Sequence, residues 1–171
     1  GTVAAVELYR KARLMNDPKR TLESLIDELA TIPLAFQPGT RWHYSVGIDV
    51  AARLVEVISG QPLGTFLQDR MFGPLGMTDT RYLPPAALLP RIAPTEQDPW
   101  RQRKVRGEVH DENAVRLGGV SGHAGLFSTG QDLARFARMY LGFGTLDGVR
   151  VLDSVTVATF TRMQDSTISR R

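Results

Sequence analysis

The chain has 171 residues, 42% of them apolar and 23% charged, which fits one globular domain of ordinary size and leaves enough apolar material for a core. It contains no cysteine, so disulfides, thiolate metal sites and a cysteine nucleophile are excluded. The net charge of +3 is too small to argue for nucleic-acid binding without a concentrated patch, and no apolar run reaches the ~20 residues that span a bilayer.

Taken in order, the first clear element starts at Thr21. Leu22, Leu25, Ile26 and Leu29 recur at helical spacing, Thr21 is placed to cap, and Pro33 lies beyond the end, which predicts a helix over 22–32. A Pro38-Gly39 turn leads into Arg41-Trp42-His43-Tyr44-Ser45-Val46, an unusual aromatic and hydroxyl cluster. A helix over 48–59 follows, expected to turn Val50, Leu54, Val55 and Ile58 inward and to stop at Gly60. Pro62 opens a shorter helix over 62–71 that buries Leu63, Phe66, Leu67 and Met71, before the punctuation at Gly73-Pro74 and Gly76.

Residues 82–109 carry five prolines and no periodicity, and read as a long functional loop or insertion. Its basic cluster, Arg101, Arg103, Lys104 and Arg106, reads as a solvated loop, since Trp100 alone offers a stacking surface for a base. Glycines 118, 119, 122 and 125 then allow close backbone approach, and Leu126-Phe127 reads as a short buried strand. Thr129 to Asp132 has capping-box spacing ahead of a helix over 131–141 with Leu133, Phe136, Ala137 and Tyr140 on its apolar face. A last helix, capped by Asp153 or Ser154, covers 154–163. Helices separated by long Gly/Pro-rich links do not make a simple bundle, and the chain, which starts without Met, reads as part of something larger.

The candidate chemistry is limited. None of the eight serines has a lysine three residues on, and no G-x-S-x-G elbow or Walker-type phosphate loop is present. His110-Asp111-Glu112 has poor geometry for chelating a metal, because adjacent residues diverge on a strand or a helix, so a hydrogen-bonding role in a loop is favoured. Tyr44 has two readings. A phenol titrates near ~10 and becomes a base at neutral pH only where cations favour the phenolate, here Arg41 or His43. Alternatively it is a half-buried aromatic with a satisfied hydroxyl.

Two long passages decide the family resemblance. LAFQPGTRWHYSVGIDVAARLVEVISGQPLGTFLQDRMFGPLGMTDT resembles the serine β-lactamase and penicillin-binding-protein superfamily, and in particular its class C-like esterase and β-lactamase-related branch, and the resemblance implies a bacterial source. The passage from Ala93 to Phe136, with its L-G-G-V-S-G-H-A-G-L-F-S-T run, is similar to that family's second block. The resemblance implies a β-lactamase-like α/β fold, of which this segment is the mostly helical part with long loops and few strands. Residues 1–171 would be the middle of such a domain, with the S-x-x-K nucleophile motif and the K/H-T-G strand both outside it. It further implies acyl-enzyme hydrolysis with Tyr44 as general base, Ser45 as the Ser of Y-S-x, and Val46 where penicillin-recognising members usually carry Asn.

Since Val46 cannot hydrogen-bond an amide, an ester is favoured over a β-lactam or a D-amino-acid peptide. Trp42, Gly122, His123, Gly125, His110, Asp111 and Asn113 are expected to line or order the cleft, His123 as a loop-packing residue and not as part of the third motif. The implied partner is a small acyl substrate, with no cofactor, metal or nucleic acid, and the segment by itself is expected to be inactive. A non-catalytic module that binds a cell-wall-like or protein partner in the same cleft is the alternative.

Overall fold

The computed structural model describes residues 7–9, 11–12, 20–40, 42, 44 and 46–163. Its main elements are α1 (Leu22–Leu29), α2 (Gly47–Ser59), α3 (Leu63–Leu67), α4 (Glu112–Arg116), α5 (Gly130–Leu141) and α6 (Ser154–Thr161). Helix α3 runs on as a π-helical turn, Gln68–Phe72, and a 3₁₀ turn covers Ala86–Arg91. Two antiparallel hairpins complete the set: β1 (Gln97–Asp98) with β2 (Arg103–Lys104), and β3 (Thr145–Leu146) with β4 (Val149–Arg150). Among the described residues no continuous sheet forms.

The local chemistry accounts for most boundaries. Thr21 caps α1 through a reciprocal box with Ser24, each side chain meeting the other's backbone N–H. Gly60 closes α2 in the left-handed conformation (φ 68°), which favours glycine because it has no Cβ. Asp153, not Ser154, caps α6, accepting from Val155 and Thr156 N–H. Thr129 caps α5 by accepting from Asp132 N–H, but the box is only half closed. The Asp132 carboxylate turns away to accept from Asp79 N–H at 2.9 Å and from the Thr80 hydroxyl at 2.8 Å.

The inward faces differ from the periodicity. On α2 the buried residues are Asp49 and Ala52, while Leu54 is 54% and Ile58 is 82% exposed. Apolar residues lie on two sides of this helix, and the side taken inward is the one whose polar members find partners. On that side Arg53 pairs with Glu23 and Glu56, and a Glu56 oxygen accepts from Leu63 N–H. Likewise α5 buries Asp132 and Met139 and leaves Leu133 and Tyr140 exposed.

Three small clusters form the core. Leu22, Ala52 and Leu63 join α1, α2 and α3; Leu25 meets Leu117 after α4; and Phe72, Leu75, Met77, Met139 and Leu146 join the π turn, α5 and β3. The Leu126-Phe127 strand is reduced to one antiparallel bridge between Phe127 and Arg81, with Leu126 exposed.

The 82–109 segment contains more regular structure than its prolines suggest, and its basic cluster is not uniformly solvated. The Arg101 side chain is 7% exposed, paired with Asp98 at 3.1 Å and bonded to the carbonyls of Val109 and His110. Trp100 lies between the guanidinium groups of Arg101 and Arg116, each about 5 Å from the ring centroid. Arg106 is bonded to the carbonyls of Ile92 and Pro90, and Arg103 to Glu108.

The buried junction at Asp132 generates a stability prediction. Asp132→Ala leaves the Asp79 N–H and the Thr80 hydroxyl without their acceptor, and should cost about 1–3 kcal/mol in urea unfolding, whereas Asp132→Asn should cost less because it keeps one acceptor oxygen.

Candidate functional site

The residues singled out from sequence separate into two groups. The first is the aromatic loop before α2. Tyr44 is 81% exposed, and Trp42, 53% exposed, is tilted towards it with ring centroids 6.3 Å apart. The half-buried packing reading of Tyr44 therefore does not describe it. Val46 is the N-cap residue of α2 and offers no side-chain hydrogen bond to the helix start. Ser45, with Arg41 and His43, lies outside the described residues.

The second group assembles around His123. Its Nδ1 lies 2.9 Å from each oxygen of Asp49, and its Nε2 lies 3.0 Å from Asp111 Oδ1. Asp49 is fully buried and also accepts from Gly122 N–H at 2.8 Å. The same Asp111 oxygen caps α4 by accepting from Asn113 and Ala114 N–H. A neutral imidazole has one N–H, so it would turn a lone pair towards one of these carboxylates; an imidazolium donates to both.

The electrostatics agree. Partial burial opposes a charge on His123, but the hydrogen bonds to Asp49 and Asp111, together with their negative charges, outweigh it and raise the pKa above the ordinary 6.5. For Asp111, desolvation works towards the neutral acid, yet the Ala114 N–H, His123 and Asn113 hold its pKa below the ordinary 3.8.

Glycine is required at the seam. A Cβ on Gly122 would sit 2.3 Å from the Ile48 carbonyl oxygen and about 3 Å from Ala52, so the loop rests directly on the first turns of α2. Gly125 (φ 115°) packs against the Gly119 carbonyl and the Tyr82 ring. Ser121 is buried and closes the loop on itself, exchanging hydrogen bonds with Ala124, while its carbonyl accepts from the Tyr82 hydroxyl at 2.8 Å. Burial, and then the Asp49 charge, push the Tyr82 phenol up to about 12. Tyr82 is thus a hydrogen-bond donor and not a base at neutral pH.

The side chains of His110 and Asn113 stand apart from this clamp. The His110 ring is exposed with Nε2 3.3 Å from Glu96, and Asn113 Oδ1 accepts from Arg116. The two largest contributors besides His123 and Asp111, namely Asp49 and Tyr82, were not among the candidates. For Asp49 a signal existed: a carboxylate in phase with Ala52 on an apolar helix. For Tyr82 there was none, since it lies in an aperiodic stretch.

Tyr44 and Val46 thus lie at the entry to α2, and the loop bearing Gly122 and His123 is clamped against the same helix. Residues 4–170 match the family described as Beta-lactamase. The chain belongs to that family. Among curated β-lactamase-family relatives, lovastatin esterase of Penicillium rubens is 36% identical over 130 residues, covering 73% of this chain and 32% of the esterase. A Salmonella typhi protein, provisionally described as a D-alanyl-D-alanine carboxypeptidase, is 34% identical over 165 residues, covering 88% of this chain and 38% of that protein. The solved structure of a simvastatin synthase mutant from Aspergillus terreus aligns with a TM-score of 0.55 at 26% identity, covering 86% of this chain and 38% of the synthase. The fold is β-lactamase-like, and the chain spans about a third of the length of these relatives.

The clamp has a pH signature whose sign follows from the two shifts. A raised His123 pKa contributes stability that is complete below about 6.5 and is lost as pH rises through the folded-state value. A lowered Asp111 pKa contributes stability present above about 3.8 and lost as pH falls through its depressed value. Melting temperature should therefore decline as pH rises above about 6.5, and His123→Gln should flatten that decline; an unchanged slope in the variant would assign it to another group.

Proposed function

We propose that this segment supplies the general-base edge of a serine hydrolase that works through an acyl-enzyme, with Tyr44 as the base and an ester as the preferred substrate. The observation that carries the reading is the position of Tyr44, exposed on the loop that enters α2 and not packed into a core. A serine hydroxyl must lose its proton as it attacks an acyl carbon. The Tyr44 phenolate takes that proton while the bond from the serine oxygen to the acyl carbon forms, then returns it to the leaving alkoxide as the ester C–O bond breaks. Water reverses the sequence to free the serine. No serine in this chain has lysine three residues on, so the nucleophile is assigned to the rest of the protein.

The preference for esters rests on Val46. An amide-bearing substrate gains from a side chain that hydrogen-bonds it, and valine cannot do so. The likeness to lovastatin esterase supports the same choice. Val46 also leaves α2 without a side-chain cap, so asparagine there would act on the helix as well as on the substrate.

In the full protein, Tyr44→Phe keeps the ring and should leave the melting temperature nearly unchanged while lowering single-turnover acylation by a p-nitrophenyl ester by roughly 10²–10⁴. Retention of more than about half the rate, far short of losing a general base, would remove Tyr44 from that role. Val46→Asn should raise β-lactam acylation relative to ester turnover, and a parallel rise in melting temperature would report the added cap.

A further inference from the structure

We propose that His123 is a positioning residue for Tyr44, acting through Asp49 and Asp111, an inference that rests on the general-base reading above. The imidazole joins three pieces of chain. Asp49 belongs to α2, Asp111 to the cap of α4, and His123 to the loop between α4 and α5. Backbone bonds tie Asp49 to the Tyr44 loop, since the Asp49 and Val50 N–H groups both donate to the Val46 carbonyl, two residues after Tyr44.

The entry to α2 is not secured from its own end, because Val46 provides no cap and Ile48 is exposed. It is secured from across the clamp instead. Gly122 N–H and His123 Nδ1 both hold the Asp49 carboxylate, and a Cβ on Gly122 would clash with the Ile48 carbonyl. The groups facing His123 are Asp49 and Asp111, with the Tyr82 hydroxyl bonded one step away at the Ser121 carbonyl. His123 therefore holds the first turn of α2, whose N-cap Val46 lies two residues after Tyr44. It has no place in the proton transfer itself.

A double-mutant cycle in the full protein tests this. Asp111→Asn retains an oxygen to cap α4 but removes one of the two charges that fix the imidazolium, and Asp49→Asn, which keeps an acceptor for Gly122, is the parallel variant should the first not fold. Misplacement of the base should slow single-turnover acylation about ten- to hundredfold with KM little changed. In the Tyr44→Phe background the same substitution should change the rate less than about twofold, because the residue being positioned is already gone. Hydrogen exchange at the amides of residues 48–50 should quicken in parallel.

An equal loss in both backgrounds, or an acylation rate within about twofold of wild type in the single variant, would overturn the positioning role. Normal turnover by Tyr44→Phe alone is a different failure. It would defeat the general-base reading, and this inference with it.

Discussion

The structure depends on one imidazole ring held between two carboxylates. A histidine with a carboxylate at each nitrogen is satisfied only when charged, and the charged form joins groups that would otherwise repel each other. Asp49 is fully buried, where an unpaired charge is costly, so its partners on the glycine-rich loop determine whether the first turn of α2 is stable. Once that turn is fixed, so are the Val46 carbonyl, the exit of the aromatic loop and the seat of Gly122. The capped end of α4 follows through Asp111.

Polar junctions of this kind recur. Three small apolar clusters are accompanied by polar junctions: Asp132 with Thr80 and Asp79, Arg53 with Glu23 and Glu56, and Arg101 with Asp98. Directional bonds suit a site better than apolar contact, because they fix angle as well as distance. The glycine-rich loop illustrates the division of labour. Its glycines let it lie flat on α2, Ser121 and Tyr82 hold its shape, and His123 attaches it.

The helices were legible because caps and stops are local. Thr21, Gly60, Thr129 and Asp153 each act within a turn of their own residue, so sequence placed α1, α2, α5 and α6 to within a few residues at each end. Which face of a helix turns inward was not legible where apolar residues lie on two sides. On α2 the choice fell to Asp49 and Arg53, whose partners Gly122 and Glu23 are distant in sequence, and to Glu56, which reaches Leu63 in the next helix. Helix α4 escaped notice because five residues give no periodicity, although Asp111 stood ready as its cap. The motif passages did single out His123 and Asp111, which the structure joins by a hydrogen bond. The missing element was Asp49, which makes them a single unit.

The charge on His123 is the claim from which the rest follows, and ring nitrogen chemical shifts read it directly. In the full protein labelled with ¹⁵N-histidine, both His123 nitrogens should resonate together in the protonated range at neutral pH. They should also titrate above the ordinary 6.5, with coupling to N–H protons in slow exchange. Two widely separated resonances at neutral pH, one of them that of an unprotonated nitrogen, would mean a neutral ring facing a carboxylate with its lone pair, and would contradict the clamp.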